Sequence, residues 1–284
     1  MVQKNKINLA FFFDSFGSWE GEKNYLNSLI TAINKYNDKD VSVKIISSKK
    51  ILKEITKLNL QNIELINSSL FSNENYLNLF RKFCSKFFKS YDPVLFYFIK
   101  KYNLNIISHY NQPTIFCKTI CWLPDFQHVK LPQNFDKKEI IRRNNLYENI
   151  IKNSSLILLS SKNSIEDLKK FSKKKNIRYK KLNFVPYIDF NQFNKCRIKK
   201  YNLKKYLIVP NQFWKHKNHL ILVKAINRLK DKKLKFKIVL TGDSKSQKDK
   251  KVFNNFIKEI KIKKLDNFFL YLGKVLYSDL INLI

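Results

Sequence analysis

The sequence predicts an α/β protein made of two successive units, each a parallel sheet flanked by helices. Three observations carry this expectation. Apolar runs of strand length alternate with segments whose apolar residues recur at helical spacing. Polar loops follow those runs where a strand would end. The alternation pauses over a polar, basic stretch, 189–205, and restarts at Tyr206.

Ile7–Phe13 is an apolar run broken only by Asn8, as expected of a strand covered on both faces. The loop from Asp14 to Gly21 follows, and then Tyr25, Leu26, Leu29, Ile30 and Ile33 mark one face of a helix. Val41–Ile46 reads as a second strand. Over Glu74–Lys89 a helix is expected, with Leu77, Phe80, Phe83, Cys84, Phe87 and Phe88 as its apolar stripe. Asn105–Ile107 and Ile115–Trp122 read as strands, and Asp136–Ile151 as a helix with a charged face. Ser155–Ser160 is strand-like, Ser164–Phe171 a short helix, and Leu182–Val185 a strand that ends before Pro186. Such alternation is what an open sheet with right-handed crossovers requires. The expected first domain is therefore 1–188, with 189–205 as linker.

From Tyr206 the pattern resumes as strand Tyr206–Val209, helix Asn218–Leu229, strand Phe236–Leu240, helix Lys248–Ile260, strand Phe268–Leu272 and a helix from Tyr277. Residues 206–284 are fewer than the roughly 100–150 such a domain usually takes. The second domain is expected to be incomplete within this chain.

Composition narrows the function classes. The 284 residues are 44% hydrophobic and 14% aromatic, enough for a sizeable core and too much for disorder. Lys and Arg total 56 against 22 Asp and Glu, a formal charge of +34. A nucleic-acid partner is the first thought. However, the excess is lysine, spread evenly, with little of the arginine that reads bases and phosphates through a planar fork. Nucleic acid is therefore not expected as a partner. An anionic membrane surface stays open as a peripheral contact, at about 1 kcal/mol per lysine near the surface. Cys84, Cys117, Cys121 and Cys196 form no CxxC pair, and no run of about 18 uncharged apolar residues is present. A cytoplasmic protein with reduced thiols is the expectation.

Four loops could carry chemistry. Trp19-Glu20-Gly21-Glu22 joins the first strand to a helix, where Gly21 would let the backbone approach a ligand. Cys121-Trp122-Leu123-Pro124-Asp125-Phe126-Gln127-His128 brings Asp125 and His128 to a strand end. Asp125 would act as a base or bind hydroxyls, and His128 would donate to a sugar or phosphate. Asn211-Gln212-Phe213-Trp214-Lys215-His216-Lys217-Asn218-His219 is the matching loop of the second unit, with Lys217 placed at a helix start to favour a diphosphate. His216 and His219 lack the further ligands zinc requires, so no metal is expected. Gly242 and the Gly273-Lys274-Val275 turn follow two later strands.

These segments, in this order, resemble the retaining GT-B glycosyltransferases of family 4, also called glycosyl transferases group 1. Trp122–His128 and Pro210–His219 carry most of the likeness. The resemblance implies two Rossmann-like domains and transfer of a sugar from a nucleotide-sugar donor to a glycan or lipid-linked acceptor, as in cell-surface polysaccharide synthesis. It implies no metal or other cofactor. It places Gly21 against the donor sugar and diphosphate, His128 in the segment that contacts acceptor or donor sugar, Lys217 at the diphosphate, and Lys274 and Val275 at the nucleotide base; Asp125 is a further catalytic candidate, and Asn211 and Gly242 further donor-binding candidates. Two departures stand out. Glu22 replaces a second glycine, and Asn211 and Gln212 stand where relatives carry an arginine. The family's Glu-x7-Glu motif has no counterpart in this chain.

Two other readings stay open at this stage. One is an inactive or split-gene product whose missing carboxyl-terminal half sits on a second chain. The other is a basic module for nucleic acid or membrane.

Overall fold

The computed structural model describes residues 6–13, 20–37, 39–71, 75, 80, 83–84, 92–174, 176–186, 203–232, 235–244 and 247–284. Loop 14–19, most of the helix expected over 74–89, and 187–202 lie outside them. The chain divides into two compact units, Met1–Tyr187 and Ile188–Ile284.

The first unit is built on seven parallel strands: β1 (Ile7–Phe13), β2 (Val41–Ser47), β3 (Ile63–Asn67), β4 (Ile106–Ser108), β5 (Lys118–Leu123), β6 (Leu156–Leu159) and β7 (Tyr179–Lys181). Their order across the sheet is β3-β2-β1-β4-β5-β6-β7. Strand β1 pairs with β2 on one side (Leu9 with Val43) and with β4 on the other (Leu9 with Ile106). Both faces of β1 are covered, so Ala10, Phe11, Phe12 and Phe13 are all buried. Phe11 and Phe13 pack with Tyr25, Leu26 and Ile30, which belong to helix α1 (Glu20–Tyr36). Ala10 and Phe12 face the other way, toward Leu95, Phe98 and Ile99.

Helices α2 (Lys49–Ile55) and α3 (Pro93–Lys101) complete the β2–β3 and β3–β4 crossovers. The Asp92 carboxylate caps α3 by accepting from the Leu95 amide at 2.9 Å. A four-residue helix, α4 (Gln127–Lys130), follows β5. Next come α5 (Lys137–Asn153), capped by Asp136, and α6 (Lys162–Phe171), opened by a capping box of Ser161 and Ser164.

Three expectations need adjusting. The last strand of this unit is Tyr179–Lys181 rather than Leu182–Val185. It is a sheet edge, where lysines are favoured over apolar residues, so hydrophobicity misplaced it. Only Leu182 continues the ladder, its amide donating to Leu159 at 2.8 Å. Strand β5 starts at Lys118, and Ile115 before it is 80% exposed. Within the expected helix over 74–89, Cys84 is buried, whereas Phe80 and Phe83 are exposed.

The second unit has three parallel strands, β8 (Tyr206–Pro210), β9 (Lys237–Thr241) and β10 (Phe269–Tyr271), in the order β10-β9-β8. Helices α7 (Leu220–Leu229), α8 (Gln247–Ile262) and α9 (Tyr277–Leu283) alternate with them. Its core joins Phe213, Val223, Ile226, Ile238, Leu240, Phe256 and Ile260. Among the described residues, no helix is long and apolar enough to cross a membrane.

Ile45 is fully buried in the first-unit core, while Ile141 on α5 is 59% exposed. Ile45→Ala is expected to cost about 2–5 kcal/mol in urea denaturation, through lost contacts and a cavity. Ile141→Ala is expected to stay within about 0.5 kcal/mol of the parent.

Candidate functional site

In an open parallel sheet, crossovers on the two sides of a strand-order reversal diverge and leave a crevice at the carboxyl ends. In the first unit that point lies between β1 and β4. The residue emerging from β4 there is His109, and the sequence reading passed over it. It has φ +57°, a left-handed conformation that is uncommon outside glycine. Its amide donates to the Ile120 carbonyl at 2.8 Å, which fixes the backbone in that turn.

Both ring nitrogens of His109 are engaged. Nε2 lies 2.8 Å from the Tyr25 hydroxyl and Nδ1 2.8 Å from the Ser108 hydroxyl. The ring is enclosed by Phe11, Tyr25 and Trp122. Burial pushes its pKa down to about 3, so it is neutral at physiological pH. Burial likewise pushes the Tyr25 hydroxyl above its ordinary range, so Tyr25 stays protonated.

Tyr25 stacks on Trp122 with centroids 4.1 Å apart and planes 18° from parallel. The Trp122 indole donates to the Ser160 hydroxyl at 3.1 Å. Phe184, although 53% exposed, contacts both rings edge-on. His109, Trp122 and Leu26 help line a cleft of about 180 Å³, together with Glu22, Asn111 and Gln112. Asn111 and Gln112 are exposed amides able to bond sugar hydroxyls. Gly21 lies in the first turn of α1, exposed, one residue from Glu22.

His128 and Asp125, expected at the end of a strand, both follow β5. His128 is 0% exposed and sits among Phe126, Tyr147 and Phe171. Neither ring nitrogen meets a partner in good hydrogen-bonding geometry, although the Asn144 side chain stands beside the ring. Its pKa is lowered first by burial and then by the nearby Arg143 charge. The short α4 helix turns this side chain into the core, where it cannot meet a substrate as placed. Asp125 accepts from the Gln127 amide at 3.0 Å, and its carbonyl accepts from Tyr147 at 2.8 Å. Asp125 thus holds the α4 turn.

In the second unit three loops meet at the carboxyl edge of the sheet. Gly242, at φ +129°, lies so close to the next loop that a Cβ there would fall 2.3 Å from the Asn211 carbonyl oxygen. Its amide donates to the Gly273 carbonyl at 2.9 Å, and its own carbonyl accepts from Tyr271 at 2.7 Å. Asn211, Gly242 and the Gly273-Lys274-Val275 turn are therefore brought together. Lys274 is exposed and Val275 half-buried.

Lys217 is exposed on the same loop as Asn211, but it closes a 3-10 turn (Lys215–Lys217) instead of opening α7. Asn218, left-handed at φ +50°, separates the two and removes Lys217 from the helix's first turn. His219 is buried, stacked on Phe213 at 4.5 Å, and its ring nitrogens lack partners. Among the described residues, no cluster of His, Cys, Asp and Glu is grouped to hold a metal ion.

No family model matches this sequence, and no curated protein matches it. Solved structures do. A glycosyltransferase from Rickettsia africae aligns with a TM-score of 0.62 at 18% identity, over 98% of this chain and 70% of that one. HepE from Anabaena, solved with UDP and glucose, aligns at 0.61 and 14% identity over 98% and 71%. Sucrose-phosphate synthase from Thermosynechococcus elongatus aligns at 0.62 and 13% identity over 97% and 72%.

Gly242→Ala meets both the Asn211 carbonyl and an unfavourable φ, and is expected to cost about 1–3 kcal/mol in urea denaturation. Gly273→Ala, with φ +72° but open space around it, is expected to cost less. Folding holds His109 neutral, so the unfolded chain binds its proton first. That contribution is complete above the ordinary value of 6.5 and is lost as the pH falls from there toward about 3. At pH 5 the loss is up to about 2 kcal/mol. Urea midpoints at pH 7.5 and 5 are expected to lie closer together in His109→Gln than in the parent. At identities this low the likeness establishes the architecture alone, and on that basis the chain has the GT-B type of α/β fold.

Proposed function

We propose that this chain is a glycosyltransferase that takes a nucleotide-sugar donor and passes the sugar to a glycan or lipid-linked acceptor. The observation that carries the proposal is the second-unit rim. There Asn211 and Gly242 touch, and Gly242 bonds to Gly273 beside Lys274. Backbone packed this tightly at strand ends suits a nucleotide, whose phosphates need close approach and nearby positive charge. The fold and the UDP-bound HepE structure support the same reading.

In this reading Lys217 and Lys274 neutralise the departing diphosphate, an electrostatic strategy that asks for no metal. Val275 borders the base. In the first unit, Gly21, Asn111, Gln112 and the Tyr25–Trp122 wall would face the sugars. Retention of anomeric configuration and membership of family 4 rest on the sequence resemblance. So does a role in surface polysaccharide synthesis at the cytoplasmic side of a membrane. The charge of +34 supports peripheral contact with anionic lipid.

Titration calorimetry with UDP- and GDP-sugars tests the proposal. Lys217→Ala is expected to weaken donor binding at least tenfold, about 1.4 kcal/mol or more. Lys137→Ala, on α5 of the first unit, is expected to leave it unchanged. Absence of binding to any nucleotide sugar would refute the proposal.

A further inference from the structure

A second cavity opens at the opposite edge of the first-unit sheet, at the amino ends of β4 to β7. Its volume is about 390 Å³, more than twice that of the cleft by His109. Strand β5 separates the two edges by about 20 Å at roughly 3.3 Å per residue. Ile120, Ile157 and Ile177 contribute apolar wall, and Lys118, Lys174 and Arg178 bring three cations to the rim. No carboxylate lines it. Among the described residues, neither Lys118 nor Arg178 has an acidic partner.

The Ser154 hydroxyl in this wall is buried and without a hydrogen-bond partner. Ser154 also caps the carboxyl end of α5, whose carbonyls carry partial negative charge. Lys174 answers that charge by approaching the Ile151 carbonyl at 3.4 Å. Lys118 and Arg178 are left to face the cavity.

Lysine is abundant over the whole surface, so charge alone singles out nothing. What distinguishes this place is concavity and an apolar lining beside two cations, Lys118 and Arg178, that have no acidic partner among the described residues, the usual make-up of a ligand pocket. The volume equals roughly a dozen waters at about 30 Å³ each, too large for a bare phosphate ion. Three cations, one of them a guanidinium with a two-point fork, match a dianion better than a single carboxylate.

We propose that this basal cavity binds a phosphate monoester with an apolar body. The phosphate lies against Lys118 and Arg178, and the apolar part against the isoleucines. The site is separate from the strand-end loops assigned to the donor and does not rest on that assignment.

Octyl phosphate below its micelle concentration is the probe, with inorganic phosphate as comparison, in calorimetry at fixed ionic strength. Octyl phosphate is expected to bind at least tenfold more tightly than inorganic phosphate. Lys118→Gln/Arg178→Gln is expected to weaken it at least tenfold, while Lys137→Gln/Lys138→Gln, equal in charge removed, changes it less than twofold. Ile177→Trp keeps every charge and fills the cavity, and is expected to abolish binding in a protein whose circular dichroism is unchanged. Equal affinity for the two phosphates would overturn the proposal. So would equal losses in both double variants, undiminished binding in Ile177→Trp, or displacement of octyl phosphate by UDP at UDP's own binding concentration. Sedimentation with phosphatidylcholine vesicles, with and without phosphatidic acid, separates the two sources. Dependence on Lys118 and Arg178 marks a lipid headgroup, and independence marks a soluble ester.

Discussion

Strand β1 pairs in parallel with β2 and with β4, and that double pairing sets up the rest of the first unit. A strand with hydrogen-bonded neighbours on both edges and helices on both faces has no route to water along its buried part, so Ala10 to Phe13 are all apolar. The chain leaves β1 for β2 on one side and comes back to β4 on the other. The crossovers diverge, and the carboxyl ends of β1 and β4 stay uncovered. His109 occupies that opening because β4 is only three residues long and ends at the gap. Tyr25 reaches it because α1 starts directly after the β1 loop and lays its apolar face back over the sheet.

Histidine packing recurs in both units. After β5, His128 stacks beside Phe126; after β8, His219 stacks on Phe213. Each is buried with neither ring nitrogen in a well-formed hydrogen bond, and burial holds each pKa down. Such rings act as flat, neutral core groups at some desolvation cost. His109 differs because hydroxyls from Tyr25 and Ser108 satisfy it. Of the three, it is the one that combines a satisfied, oriented ring with a position on a cleft.

Much of the architecture was legible in the chain. The Ile7–Phe13 run, the Tyr25–Ile33 stripe and the restart at Tyr206 each translate a periodicity directly into an element, and periodicity is what a sheet with crossovers imposes. The lysine-rich edge strand β7 escaped notice, since an edge need not be apolar. The site was less legible. Composition placed Asp125 and His128 at a strand end, but whether a side chain faces the cleft or the core depends on how a four-residue helix turns, which no period encodes. His109 carried one readable signal, the polar run Ser108-His109-Tyr110-Asn111-Gln112 directly behind a short apolar strand. The closeness of Gly242 to Asn211 depends on two loops about thirty residues apart in sequence, beyond the reach of any local pattern.

The Tyr25–Trp122 stack has a practical side. Indole emission responds to the polarity around the ring and to nearby quenchers, and Trp122 is 8% exposed with its N–H tied to Ser160. It also lies within energy-transfer range of Tyr25, 4.1 Å away. Trp214, the tryptophan of the second unit, is half-buried on a loop and reports a different environment. The cleft therefore carries its own chromophore, one of the three tryptophans of the chain.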